Sequence, residues 1–544
     1  MTRIRRLAGR SLPTETGLAG SQLGGSQLAG TQLAGSLLAG SLLTVSVLTV
    51  SLLAIACLGC TSVSRIEPVA TPLEPPAAFT AAEQPANDGR GAAGWWRELG
   101  DPRLASLVEE AWAHNWDLAA AAARVEAARA AAHIQGAELE PQVAAGLSSR
   151  RSKQNFIGLP IPGREDSVLS TTSTSSGLSL SLSWEADLWG RLRARRASAR
   201  FDARAAATDL EAAKLSIAGE VARAYFTLVE LSLQQQLAER TLESRTRTLE
   251  RVDTRYRRGL APSLELRLAR TQQEAVAAAL AARRQQLDAA RRQLEVLAGR
   301  YPAGTLDGAA QLPSIGEPVP PGLPAELLSR RPDVLAAEER VYGALADLGA
   351  ARASLLPQLS LTGSTGTASS ELGDLLDPDL SVWSLAANLL QPVFQGGRLR
   401  AGVELAEASR DESVAWWART VLRAFSEVET ALAAERLLDQ RLTALERTAL
   451  EAERAAELAE DRYLAGLSDY LSVLESQRQA FDSQSQLLAA RRARLLARID
   501  LVLALGGGFE AERPTPALPR SASLRSRPLD APAAGGVPEV PHVP

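Results

Sequence analysis

The chain is written twice, and that duplication limits its possible folds more than any other feature of its 544 residues. Gly190-Arg191-Leu192-Arg193 returns as Gly397-Arg398-Leu399-Arg400. Arg255-Tyr256 ahead of Gly259-Leu260 returns as Arg462-Tyr463 ahead of Gly466-Leu467, and the Leu297 to Gly299 segment returns near Leu503 to Gly506. The glycine pairs 190/397, 259/466 and 299/506 share one offset of 207 residues, which marks one supersecondary unit repeated in tandem. Leu139, Pro141 and Gln142 return as Leu356, Pro357 and Gln358 at a different spacing. The change in length therefore falls between the first two landmarks, as a surface loop would absorb it.

Each unit reads as helix, strand, strand, long helix, turn, helix. Leu104, Leu107, Val108 and Ala111 share one helical face, and the pattern predicts a helix from about Leu104 to Leu139, stopped by Pro141. From Gly177 to Trp184, leucine and serine alternate strictly, the mark of a strand with one apolar and one polar face. Trp383, Leu385, Ala387 and Leu389 alternate likewise until Pro392. Weaker strands follow Pro141 and Pro357, and Gly/Pro/Ser-rich loops are expected at about 153–170 and 364–379. From Ala194 to Arg257 there is no proline and one glycine, Gly219. A helix of roughly 60 residues is about 90 Å long. Leu210, Ile217, Val221, Ala224, Leu228, Leu231, Ala238, Leu242, Leu249, Val252 and Tyr256 keep a heptad-like spacing that Lys214 and Gln235 interrupt, and Val428, Ala431, Leu438, Leu442, Leu445 and Tyr463 repeat it. Gly259 and Gly466 end the long helices as C-cap glycines. Each unit then has a long helical hairpin at one end and two strands at the other.

Composition and targeting narrow the class. The net charge is −4, with no basic stripe to hold nucleic acid. His114, His133 and His542 are scattered and the two cysteines are both N-terminal, so metal-ligand spacing is absent and no cofactor is expected. Arg3, Arg5, Arg6 and Arg10 precede a run, roughly Leu37 to Leu58, that is long and apolar enough to be an export signal or a retained membrane anchor. Leu58-Gly59-Cys60 resembles the end of a lipoprotein signal, with Cys57 as the alternative acceptor. Several acyl chains on such a cysteine anchor stably. From Ala19 the segment repeats every five residues (Ala-Gly-Ser-Gln-Leu and variants), an expanded signal sequence with no fold of its own.

Four strands with one apolar face suit an outer-membrane barrel but cannot close one, since the smallest barrels need about eight. Open edges in lipid leave backbone groups unsatisfied at several kcal/mol each, so the chain must borrow strands from its own copies. A plain coiled coil lacks such strands. A periplasmic coiled-coil adaptor lacks them too and carries β segments outside its hairpin. Glu185 and Asp187, two apart beside Trp184 and Trp189, raise the possibility of acid/base chemistry. With no His, Ser or Cys constellation nearby, a turn or girdle role suits them better. Trp189 and Trp383 are candidate interface aromatics.

These landmarks resemble the TolC-like outer-membrane factors, specifically the NodT-type efflux lipoproteins. The resemblance rests on Trp95-Trp96 with Gly100-Asp101-Pro102, on Asn115 to Leu118, and on Trp184 to Arg191. In the second unit it rests on Leu323-Pro324 with Arg330-Arg331-Pro332-Asp333, and on Gln391 to Leu399. It implies a mainly α protein with a small β part: a homotrimer with a twelve-stranded outer-membrane β-barrel and a long periplasmic α-helical barrel. It would be a passive exit duct, not an enzyme. Its implied partners are outer-membrane lipid, a periplasmic adaptor and an inner-membrane transporter of the RND or ABC class.

The implied organisation is a signal sequence at 1–59, a lipidated tether at 60–94 and a first efflux repeat at 95–305. A linker at 306–322, a second repeat at 323–508 and a Pro-rich disordered tail at 509–544 follow. By resemblance the adaptor docks at the turns Gly259-Leu260 and Gly466-Leu467. The same resemblance puts Ser472 and Glu475 at positions that close the periplasmic mouth. Glu475 keeps a carboxylate and Ser472 does not; Glu475 reads alternatively as a solvated helix charge. Asp469, in the turn, is either a gate group or a helix N-cap.

Overall fold

The computed structural model describes residues 73, 75–82, 94–156, 169–316, 319–320 and 322–508. Cys57, Cys60, the five-residue repeats, most of the expected tether and the C-terminal tail lie outside them.

The first unit contains α1 (Trp95–Glu98), α2 (Pro102–His114), α3 (Trp116–Ala137), β1 (Gln142–Phe156), β2 (Leu169–Ala186), α4 (Arg191–Arg257) and α5 (Ser263–Leu297). The second contains α6 (Pro324–Arg330), α7 (Pro332–Ala353), β3 (Gln358–Ser369), β4 (Ser381–Leu390), α8 (Arg398–Leu464) and α9 (Tyr470–Ala504). The single helix expected from Leu104 to Leu139 is in fact two. Asn115 breaks it: its backbone is extended, and its side chain accepts from the amides of Asp117 (2.8 Å) and Leu118 (3.2 Å), which starts α3 afresh. Asparagine offers the new helix an N-cap, and that outweighs continuing the old one. In the second unit Arg331 stands at the same break because it precedes Pro332, which disfavours the helical region there.

The expected loops are shorter than composition suggested. β1 runs on to Phe156 and β3 to Ser369. Apolar alternation stops earlier, but hydroxyl pairs across the ladder, Ser149 with Ser176 (2.9 Å) and Ser152 with Ser173 (3.1 Å), carry the pairing further.

α4 and α8 are each 67 residues, about 100 Å long. Each begins at a left-handed glycine, Gly190 (φ 80°) or Gly397 (φ 85°). Of the heptad positions, Ile217, Val221, Leu228, Ala238 and Val252 are buried and Leu210, Ala224, Leu231, Leu242 and Leu249 half-buried; Tyr256 is 42% exposed and lies outside the seam. Lys214 pairs with Glu211 and Gln235 with Glu239 on partly exposed faces. Gly219, the one glycine of α4, has a packing reason: a Cβ there would lie 2.3 Å from Leu503 Cδ1, so its absence lets α4 approach α9. The main core surrounds this crossing, with Leu104, Tyr225, Phe226, Leu294 and Ile499 fully buried. Tyr225 donates to Asp101 and accepts from the Ala309 amide (3.1 Å), tying the segment after α5 to α4 and to the start of α2.

The strands form one antiparallel sheet in the order β1-β2-β3-β4. Its register puts Val143 opposite Leu182, Ala145 opposite Leu180 and Leu147 opposite Leu178. Trp184 faces Leu361, and Leu361 faces Ala387; Leu359 faces Leu389. One face is therefore apolar across all four strands, while the other carries Ser179, Ser181, Ser183, Ser360, Thr362 and Ser364. The apolar face is bare in the single chain, with Leu147 68%, Leu385 75% and Trp383 81% exposed. In the sheet order, β1 and β4 are the two edges.

Candidate functional site

Two places carry the chemistry, the sheet and the opposite ends of the helical hairpins. At the sheet's root the paired carboxylates are taken up by structure. Glu185 receives a forked pair of bonds from Arg191 (2.8 Å), and Asp187 accepts from the amides of Leu192 (3.1 Å) and Arg193 (2.9 Å), capping α4. The Trp184 indole donates to Leu139 O (2.9 Å) and the Trp189 indole to Pro357 O (2.7 Å). Trp189 is thus a strut between the two units, whereas Trp383 stands exposed on the apolar sheet face.

At the far end both long helices stop in the same way. Leu260 N donates to Arg255 O (2.8 Å) and Gly259 N to Tyr256 O (2.9 Å). Leu467 N donates to Arg462 O (2.8 Å) and Gly466 N to Tyr463 O (3.0 Å). This paired pattern needs a left-handed residue, and Gly259 (φ 73°) and Gly466 (φ 74°) supply it. It leaves Leu260 64% and Leu467 69% exposed at the very tips.

Beyond the turns the two hairpins differ. α5 begins after Pro262 with no side-chain cap. α9 begins at Asp469, which accepts from Ser472 N (3.0 Å) and from the Ser472 hydroxyl. Those bonds hold the Asp469 carboxyl below its usual range. Ser472 and Glu475 follow on the same exposed face, one turn apart. Glu475 accepts two bonds from Arg478 (2.7 and 3.2 Å), which hold its carboxyl below the usual range as well. So Asp469 and Ser472 are bonded to each other, while Glu475, one turn on, pairs with Arg478, a counter-charge absent from the sequence expectation.

The sequence reading also missed the link between the hairpins. The Tyr463 hydroxyl, on α8, donates to Glu265 Oε2 on α5 (2.7 Å). Arg255 lies 4.9 Å over the Tyr463 ring, and Tyr470 packs 5.5 Å from it. Val252, Leu266, Ala269 and Val473 enclose the group. Arg251 on α4 pairs with Glu460 on α8 beside it. Burial, and then the bond to Glu265, push the Tyr463 hydroxyl well above its ordinary pKa, so it stays a donor. Burial pushes Tyr470 up to about 12. The signal was present in the duplication: Glu265 aligns with Ser472 and Tyr256 with Tyr463, so only one of the two equivalent pairs has both tyrosine and carboxylate.

With this geometry in place, comparison with known proteins is decisive. The outer membrane efflux protein family matches residues 107–300 and 323–507. The chain belongs to that family. It is 36% identical over 422 residues to the pyoverdine export outer membrane protein OpmQ of Pseudomonas putida, covering 77% of this chain and 89% of that one. It is 32% identical over 470 residues to the toluene efflux pump outer membrane protein TtgI of the same species, covering 84% and 97%. Among solved structures, the outer-membrane channel OprN superposes with a TM-score of 0.75 at 29% identity, covering 81% of this chain and 99% of that one. As an outer membrane efflux protein, the chain is an outer-membrane component of an efflux system, and its family is one of channels.

Proposed function

We propose that this chain is the passive exit duct of a tripartite efflux system and works as a homotrimer. The observation that carries the reading is the four-stranded sheet, apolar on one face, hydroxyl-lined on the other, with an edge strand on each side. Three such sheets make a twelve-stranded barrel whose lumen is wide enough for water. Antiparallel order lets β4 of one copy pair with β1 of the next. Within one sheet Val143 is level with Leu385. Matching apolar face to apolar face, with the stagger of about four residues per copy that tilted strands need to close, sets Val143 opposite Leu389 of the neighbouring copy and Ala145 opposite its Ala387. The same three copies pool α4, α5, α8 and α9 into a periplasmic helical barrel.

In this reading the tips at Gly259-Leu260 and Gly466-Leu467 dock a periplasmic adaptor, which links the duct to an inner-membrane transporter of the RND or ABC class. Glu475, Ser472 and Asp469 border the periplasmic mouth, and three copies of Glu475 set a negative ring there that favours cations. Lipid on Cys60, or on Cys57, holds the chain at the outer membrane. The similar proteins are named for pyoverdine and for toluene, unlike cargoes, which suits a duct that leaves selection to the pump. The test is native mass measurement of the detergent-extracted protein, with bilayer conductance. Three chains per particle and stepwise conductance support the reading; a monomer without conductance contradicts it.

A further inference from the structure

The two faces of the sheet place charge unequally, and the inequality singles out Arg150. The β1–β2 register runs without a bulge from Gln142 opposite Ser183 to Phe156 opposite Leu169, so the alternation of faces never shifts along β1. Odd positions share the apolar face of Val143 and Leu147; even positions share the hydroxyl face. Across the paired ladder that second face is mostly small at its middle, as at Gly146, Ser148, Ser181 and Ser364, with Phe156 and Leu169 at its far end. It carries two charged residues. Glu185 is one, already held by Arg191 at the helix end of the sheet. Arg150 is the other: exposed, opposite Ser175, and without an ion-pair partner among the described residues. Ser175 lies just beyond Ser176, which faces Ser369 at the end of β3, while pairing with β4 stops at Thr367 opposite Ser381, level with Leu147; within one sheet Arg150 therefore stands just above the three-stranded ladder, away from the helices. Arg151 and Lys153 flank it but fall on the other face.

We propose that Arg150 is a specificity-determining residue of the duct, three copies forming a cationic ring inside its outer mouth. This rests on the trimeric-barrel reading. Twelve strands about 4.8 Å apart and tilted about 40° close at a radius of roughly 12 Å. The screening length is about 10 Å at 0.1 M salt and about 30 Å at 0.01 M, so the ring's field reaches the axis in dilute medium. The ring favours anions in the bore and opposes the return of cations from outside. Its sign is opposite to that of the acidic hairpin tip at the other end.

The test is the reversal potential of the purified full chain in planar bilayers, under KCl gradients in both directions with the dilute side near about 0.01 M. Arg150→Glu is expected to lower the chloride-to-potassium permeability ratio at least about twofold, and Arg150→Lys to preserve it. Arg151→Glu, one residue on and facing outward, is expected to leave it unchanged. In about 1 M KCl, where screening is complete within about 3 Å, the variants converge. Should Arg150→Glu fail to assemble, Arg150→Gln gives the same reading with a smaller shift. Conducting trimers whose selectivity ignores position 150, or follows position 151 instead, overturn the ring and leave the barrel standing. Absence of trimer and conductance in the unaltered protein overturns the barrel reading itself.

Discussion

At the α4–α5 tip the turn is flanked by Arg255, Arg257 and Arg258, and Tyr256 is 42% exposed. At the α8–α9 tip the equivalent Tyr463 is 5% exposed and bonded to Glu265. Residues 253–270 hold five arginines against Asp253 and Glu265; residues 460–477 hold Arg462 alone against Glu460, Asp461, Asp469 and Glu475. The backbone turns match bond for bond, because ending a long helix at a left-handed glycine has one good solution. The side chains had no such constraint. After duplication one tip became basic and the other acidic, and the tyrosine found a carboxylate in only one of them. The lesson is that the repeat dictates backbone geometry, while charge and packing at the tips differ between the copies.

The comparison breaks most visibly at the two tyrosines. Tyr463→Ala is expected to cost about 3 kcal/mol locally by emptying a packed site, and Tyr256→Ala less than about 1. Hydrogen exchange at the two tips, compared variant by variant, reads the difference; equal losses would contradict the asymmetry. Next in size, Tyr463→Phe removes one bond to a charged acceptor, at roughly 1.5 kcal/mol, and Tyr256→Phe removes none. A double-mutant cycle of Tyr463→Phe with Glu265→Ala, which removes the acceptor, isolates the bond, and a coupling near zero would show that it does not hold the hairpins together.

Glu475→Ala should act on permeation more than on stability. It leaves Arg478 with Asp482 alone (3.6 Å) and removes one negative charge from each copy, so cation preference should fall. Leu268→Ala, at the equivalent place in the first unit, should leave selectivity alone. Reversal potentials distinguish the two. The smallest effect concerns pH. Asp469 is held below its usual range in the fold, so the stability it lends is full above its unfolded pKa of about 4 and is lost as pH falls through the lower folded value. Protection of the first amides of α9, corrected for intrinsic rate, should be flat from pH 7 to 5 and fail only in stronger acid. A decline beginning near neutrality would assign the cap to some other group.

Much of this was legible in the residues. The duplication, the alternating strands and the two terminal glycines are local patterns, and each is where its spacing put it. Asn115 was legible too, as a cap residue two before Asp117, but helical apolar spacing on both sides masked the break. The strand extensions past apolar alternation were hidden because serine and threonine pair across a ladder without an apolar signature. The bond from Tyr463 to Glu265 joins residues 198 apart. No local pattern records a contact set by how two hairpins cross. Arg478 was legible as well: a base three residues after Glu475 lies on the same helical face and pairs with it.

The central claim is that the edges of one sheet close on copies of itself. Ala145→Cys combined with Ala387→Cys places one thiol on each edge at levels the proposed seam brings together. Oxidation in outer membranes should yield covalent species of two and three chains and none larger, lost on reduction and missing from either single variant. Folded, membrane-inserted protein that forms no link between chains would contradict the account.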